Sequence, residues 1–387
     1  MKYLFALIIV SLFTSCSNAG KDKDHTLLSN CLDQDLRNLG NDSAFLNYGT
    51  ELSSSGKKDG YKEFGTGFIL LANKDSVKAQ RTFRELLVQK HTLWLGYCGL
   101  GLTAWKAKHY TLARAAYDSA LLKSESHAEL WYLKGLNEAE LDTSGRYSEA
   151  IRCFEAAGKL DPEHYYAWYM AGLHQYMGDS TSRGLKKAIP FMEKAIIVDS
   201  KNPDAYIFLA DNYDSYHEQL RYTQLAIDAG HIPSIKKMAE LRLEFGDYEK
   251  ALSYYNEYLK HVKNNPEDHI AKASCLMSMG KFEEALEALS YARALDPSAE
   301  GNHIHYRKSL IFFDQQKYAE ALNEINIVLA QDSFEQTEYY VHKARVLVAM
   351  KQLPQAKQVL DQYLKAAAET DADVSTAENM RAFYFGE

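Results

Sequence analysis

Gly-Asp-Tyr-Glu-Lys-Ala-Leu at 246–252 returns as Gly-Lys-Phe-Glu-Glu-Ala-Leu at 280–286, 34 residues later. Variants stand at 145–151 (Gly-Arg-Tyr-Ser-Glu-Ala-Ile) and at 316–322 (Gln-Lys-Tyr-Ala-Glu-Ala-Leu). A self-similar period of this length marks an array of stacked units rather than one globular core. Working outward, each phrase opens on a turn residue, places an aromatic two positions on (Tyr147, Tyr248, Phe282) and an alanine three beyond it (Ala150, Ala251, Ala285). A large apolar residue follows four later (Phe154, Tyr255, Leu289), and Ala157, Tyr258 and Ala292 come three after that. Spacings of three and four put these residues on one helical face. The alanine marks a place where two helices approach closely. Asp-Pro at 161–162 and 296–297 ends the unit, because proline cannot continue a helix.

A first helix precedes each phrase, with Trp131 and Gly135 in one copy and Trp168, Ala171 and Gly172 in the next. An aromatic, a small residue four on, then Ala, Phe/Tyr, Ala and Pro: the pattern resembles the tetratricopeptide repeat. The resemblance covers most of residues 60–370 and implies an all-α solenoid, a right-handed superhelix of antiparallel helix pairs with no sheet. Aligned on the second-helix alanine, the units are marked by Ala79, Ala113, Ala150, Ala188, Ala251, Ala285, Ala321 and Ala356. The gap of 63 between Ala188 and Ala251 must hold one degenerate unit, at 203–231, which makes nine. The longer periods are expected in the turns Leu141–Gly145 and Gly178–Lys186, where extra residues cost little.

Lys2, the apolar run Leu4–Phe13 and small or polar residues before Cys16 read as an export signal over 1–15. The run is too short for a permanent membrane span. Leu12-Phe13-Thr14-Ser15-Cys16 resembles a bacterial lipoprotein signal, with Phe13 where a small aliphatic residue is usual; that resemblance implies lipidation at Cys16. A polar tether at 16–23 contains a Lys-Asp pair similar to the surface-export tags of Bacteroidota lipoproteins. Residues 24–59 have helical spacing without the repeat marks and are expected to form an N-terminal cap. A capping-box pattern, Ser375-Thr-Ala-Glu378, opens a terminal helix within 371–387. The expected location is therefore the cell envelope, as an outer-membrane lipoprotein facing the periplasm or the cell surface.

The 27 tyrosines suit a fold whose helix contacts accept a large ring with its hydroxyl at the rim. A formal charge of −8, with no basic stripe, argues against nucleic acid. Cys31, Cys98, Cys153 and Cys275 lack metal or disulfide spacing and read as small apolar core residues. His303 and His305 alternate rather than share a helical face, Gly65-Thr-Gly67 lies inside a helical unit, and no paired catalytic carboxylates face one groove. No enzyme activity, cofactor or metal is expected. Lysines at the seventh first-helix position (Lys134, Lys272, Lys308, Lys343) fit stems that snorkel at unit boundaries.

In the resembled family the first helices line a concave groove, through their second, fifth, ninth and twelfth positions. Carried over, these give Phe64, Phe68, Leu102, Trp105, Tyr132, Leu136, Tyr166, Tyr169, Leu173 and Tyr176 as a partner-binding groove, then Asp204, Asp211 and Asp214 in the degenerate unit. Exposed aromatics are the usual anchors for a bound segment. The other reading is that a tight superhelix buries them against one another or under the N-terminal cap. The lysine and asparagine clamp of chaperone adaptors is missing, since Tyr132/Leu136 and Tyr169/Leu173 hold those positions. The expected function is a lipid-anchored scaffold holding a protein or peptide segment. The alternatives are a structural subunit of an envelope assembly (outer-membrane insertion, secretion or gliding) and a glycan binder.

Overall fold

The computed structural model describes residues 42–55, 60–295, 301–330, 337–367 and 374–386. The export signal, Cys16, the tether, Cys31 and Pro297 lie outside the described residues. Among those described there are twenty α-helices and no β-strand. A leading helix, α1 (Asp42–Ser55), is followed by pairs: α2 (Tyr61–Ala72) and α3 (Ser76–Glu85), α4 (Leu93–Lys106) and α5 (Tyr110–Leu121), α6 (Ala128–Leu141) and α7 (Ser148–Leu160), α8 (Tyr165–Met177) and α9 (Ser182–Val198). The fifth pair is α10 (Asp204–Asn212) and α11 (Tyr216–Asp228). Then come α12 (Ile232–Glu244) and α13 (Tyr248–His261), α14 (Pro266–Ser278) and α15 (Phe282–Leu295), α16 (Gly301–Asp314) and α17 (Tyr318–Leu329), α18 (Thr337–Ala349) and α19 (Leu353–Ala367), with α20 (Ser375–Phe385) last. The chain forms two compact units, one up to Tyr222 and one from Thr223, so their boundary falls inside α11.

The alanine ladder explains the pairing. All eight marker alanines are buried to 1% exposure or less, and at these points the two helices of a pair come together. Facing them are small residues on the first helix. A side chain at Gly135 would run into the Phe154 ring at 2.6 Å. Gly65 lets α2 cross α1, since a Cβ there would meet the Ser53 nitrogen at 2.7 Å and the Gly49 carbonyl at 2.9 Å. The Gly65-Thr-Gly67 segment is thus helix packing, and Phe64 and Phe68 join Leu52 in one core cluster.

Six intra-pair turns share one backbone solution. A residue in the left-handed region follows the first helix: Lys74, Lys108, Gly246, Gly280, Gln316 and Lys351. Its N–H and the next one reach back to carbonyls three and five positions earlier, as from Lys108 to Trp105 and His109 to Ala104, both 2.8 Å. This is the Schellman ending, which satisfies carbonyls that a helix otherwise leaves open. In the third pair, Asp142 organises the longer turn by accepting from the Ser144, Gly145 and Tyr147 nitrogens at 2.6, 3.1 and 2.5 Å.

Two local expectations change. The insertion expected as a loop at Gly178–Lys186 is largely helix, because the Thr181 hydroxyl caps the Arg183 and Gly184 nitrogens and α9 starts at Ser182. The terminal helix has Val374 in the cap position with no side-chain cap bond, so Ser375 is its first residue and the capping box does not form.

Polar ties join successive pairs. The buried Glu138 carboxylate of α6 takes a two-pronged bond from Arg114 of α5, with the Nε to Oε1 arm at 2.7 Å. Lys134 reaches Asp118 of α5 at 2.5 Å, the boundary role expected of that lysine position. Within the fourth pair, the Lys194 ammonium of α9 lies 4.0 Å from the centre of the Trp168 ring of α8. Cys98, Cys153 and Cys275 are buried, and burial pushes their thiols up, to about 11 for Cys153 and Cys275.

Candidate functional site

Helix α8 opens on Tyr165-Tyr166-Ala167-Trp168-Tyr169. His164 caps it by accepting from the Ala167 nitrogen at 3.3 Å. Tyr166, Tyr169, Leu173 and Tyr176 are spaced by three or four and share a stripe. Trp168 points the other way and is buried.

The three tyrosines form one cluster. The Tyr165 and Tyr169 rings stack at 6.0 Å and 14°, while Tyr166 meets Tyr169 edge-on at 6.2 Å and 75°. Two of the hydroxyls are occupied by the next pair. Tyr165 accepts from the Ala205 nitrogen at 3.0 Å, and Tyr166 accepts from Asn202 Nδ2 at 2.8 Å and donates to Asp204 Oδ2 at 3.3 Å. Asn202 also caps the chain ahead of α10 by accepting from the Asp204 nitrogen at 3.0 Å. Farther along the stripe Tyr176 meets Phe208 of α10 edge-on at 5.5 Å and 88°. Tyr165 and Tyr166 therefore brace α10, and Tyr169, Leu173 and Tyr176 are half-buried.

The electrostatics of this face are negative. Burial, then Asp204, Tyr166 and Asp211, push the Tyr169 hydroxyl up to about 12. Burial raises Tyr165 further, against the lowering effect of the Ala205 N–H. Asp204 sits in the first turn of α10, where a helix favours negative charge.

The other groove positions divide by depth. Phe64, Phe68 and Leu102 are fully buried, and Tyr132 and Tyr166 nearly so. Phe64 and Phe68 are covered where α1 packs on α2, and Leu102 belongs to the same cluster. Tyr132 is held between Phe154 at 5.7 Å and His164 at 4.8 Å. At the first two pairs the positions expected to line a groove are therefore core. Trp105 is half-buried against that core, and Leu136 is half-buried on α6. The groove positions that are only half-buried are Trp105, Leu136, Tyr169, Leu173 and Tyr176, of which the last three share the α8 stripe. Tyr165 and Asn202 were missed by sequence reasoning; Asn-Pro-Asp at 202–204, a turn phrase ahead of a helix, was the available signal.

In the unit from Thr223, Lys236 is tied to the fully buried Asp268 at 2.6 Å. His305 is likewise engaged, with Glu324 on its Nδ1 at 2.5 Å and Arg293 on its Nε2 at 2.7 Å. Among the described residues, no group of three or more His, Cys, Asp or Glu side chains is arranged to hold a metal ion.

Comparison with known proteins bears on this architecture. A family profile described as tetratricopeptide repeat matches residues 98–143 and 139–203, and one described as anaphase-promoting complex, cyclosome, subunit 3 matches 244–328. The chain is 22% identical over 302 residues to anaphase-promoting complex subunit 3 of Schizosaccharomyces pombe, covering 69% of this chain and 44% of that protein. It is 24% identical over 262 residues to a TPR repeat-containing protein of Methanocaldococcus jannaschii, covering 62% and 44%. The chain thus spans less than half the length of these relatives. Among solved structures, a tetratricopeptide repeat protein from Parabacteroides merdae matches at 15% identity and TM-score 0.33, covering 75% of this chain and all of that one. The Cut9–Hcn1 hetero-tetramer matches at 11% and 0.41, covering 96% and 98%. The repeated phrase, the buried alanine ladder and the family profiles agree, and the chain belongs to the tetratricopeptide-repeat family.

Proposed function

We propose that this chain is a lipid-anchored scaffold of a bacterial cell envelope that holds a segment of another protein along α8. Proteins of this family bind protein or peptide partners. The observation that carries the reading is the half-buried stripe Tyr169, Leu173 and Tyr176, kept in place from behind by the Tyr165 and Tyr166 hydroxyls on the start of α10. A braced aromatic surface is a good anchor because little side-chain freedom is left to lose on binding. The envelope location is supported by Lys2, the apolar run Leu4–Phe13 and Cys16 in the sequence.

The test is crosslinking and pull-down from native envelopes, comparing the wild type with a Tyr169→Ala/Leu173→Ala variant. The expected result is loss of a stoichiometric partner from the variant with its helical circular dichroism unchanged. Equal recovery of that partner by a folded variant would remove the α8 assignment.

A further inference from the structure

The stripe on α8 carries information about the chemistry of its occupant. Aromatic faces present negative charge above the ring, and the hydroxyl end of Tyr169 lies in the field of Asp204 and Asp211. Asp204 forms no ion pair among the described residues; its carboxylate accepts only the long 3.3 Å bond from Tyr166. The Tyr165 ring lies nearly parallel to the Tyr169 ring, 6.0 Å between centres, and Tyr169 is half-buried. Asp214, past the end of α10, accepts from Ser182 at 2.9 Å and adds negative charge beyond Asp211.

We propose that the segment held on α8 presents a lysine or arginine to Tyr169, with its cationic head directed toward Asp204 and Asp211 and its aliphatic stem along Leu173. This rests on the reading of the stripe as a protein-binding surface and names the occupant of that same site. A cation over a tyrosine face is attracted by the ring, more so where water is partly excluded. The two carboxylates extend that attraction outward and orient the approaching partner. An acidic segment would meet like charge at Asp204 and Asp211. Leu173 and Tyr176 supply the apolar contact that a long basic side chain covers with its methylenes.

The probes are fluorescein-labelled Ala/Lys, Ala/Gln and Ala/Glu peptides of equal length, titrated by fluorescence anisotropy against the full chain at low and physiological salt. The Ala/Lys peptide is expected to bind most tightly. Asp204→Asn/Asp211→Asn should weaken that peptide by about tenfold, as expected for loss of close charge pairs, and leave Ala/Gln binding unchanged. Glu283→Gln/Glu284→Gln, on a solvated face of α15, removes the same charge elsewhere and should have no such effect. An equal loss from that control, or no preference for Ala/Lys over Ala/Gln, would overturn the cation assignment. Those outcomes leave the stripe itself standing if Tyr169→Ala still weakens Ala/Gln. If Tyr169→Ala affects no peptide while the variant remains folded, the stripe and the cation both fail.

Discussion

Glu138 sits on α6 with its side chain only 4% exposed, and its counter-ion Arg114 reaches it from the preceding pair while remaining 44% exposed. A buried ion pair adds little over a well-packed apolar pair, but removing one partner strands the other. Arg114→Ala should therefore destabilise the fold by about 2–3 kcal/mol, toward the low end because water reaches the vacated site. Arg114→Met/Glu138→Leu should recover most of that loss. Urea denaturation of the three proteins decides the matter; a neutral Arg114→Ala would mean that the pair contributes nothing. At this scale the sequence was readable where a residue type has one use. The alanines and the seventh-position lysine Lys134 lie where spacing put them. Tyrosine has several uses, and so the sequence could not separate Tyr166, which braces α10, from Tyr169, which is half-buried on the stripe.

The hairpin is the next scale, and its weak point is the turn. Lys108 and Gly280 occupy equivalent left-handed positions, at φ 58° and 71°, with the same reach-back bonds. A side chain in that conformation costs about 1 kcal/mol relative to glycine. Nothing lies within 4 Å of a Cβ built on Gly280, so the cost there is conformational and not steric. Gly280→Lys should lower stability by about 1 kcal/mol and Lys108→Gly should raise it by about 0.5–1 kcal/mol, less what glycine adds to unfolded-state freedom. Thermal melts of both variants are the check, and melting shifts of the same sign would refute the equivalence. The repeated phrase located the turns at Gly246 and Gly280 from their glycines and the one at Gln316 because its phrase otherwise matched, while those at Lys74, Lys108 and Lys351 were reached only through the aligned alanines. What it misjudged was the loop ahead of α9, where Thr181 starts the helix early. For the first two pairs it left groove and core both open, and the structure buries Phe64, Phe68 and Leu102, because one unit's pattern does not say what packs on it.

For the whole molecule, the proposed anchor makes a prediction independent of the repeats. Cys16→Ser in the full-length chain should move the protein from the membrane fraction to the soluble fraction and abolish labelling by a clickable palmitate analogue. Continued membrane retention without label would refute lipidation as the tether. The array itself was legible because nine units repeat one pattern, and even the degenerate pair at 203–231 announced itself by a gap. The boundary between the two compact units then fell inside that pair, in α11. No spacing rule could supply that, since the repeat marks say which residues face a neighbour and not where compact units divide.

The six turns that close through their own backbone also bear on how the protein is made. Each hairpin completes its ending locally, and each described helix packs mainly against its neighbours in sequence. Contacts between residues close in the chain form fast, and a solenoid can begin folding at any repeat. A hairpin can thus close while later ones are still being synthesised. For a chain that must thread a translocation channel before it folds, such early closure competes with export. On the proposal made above, glycine at the four turns that hold lysine or glutamine would ease early closure and would be expected to favour a jammed precursor.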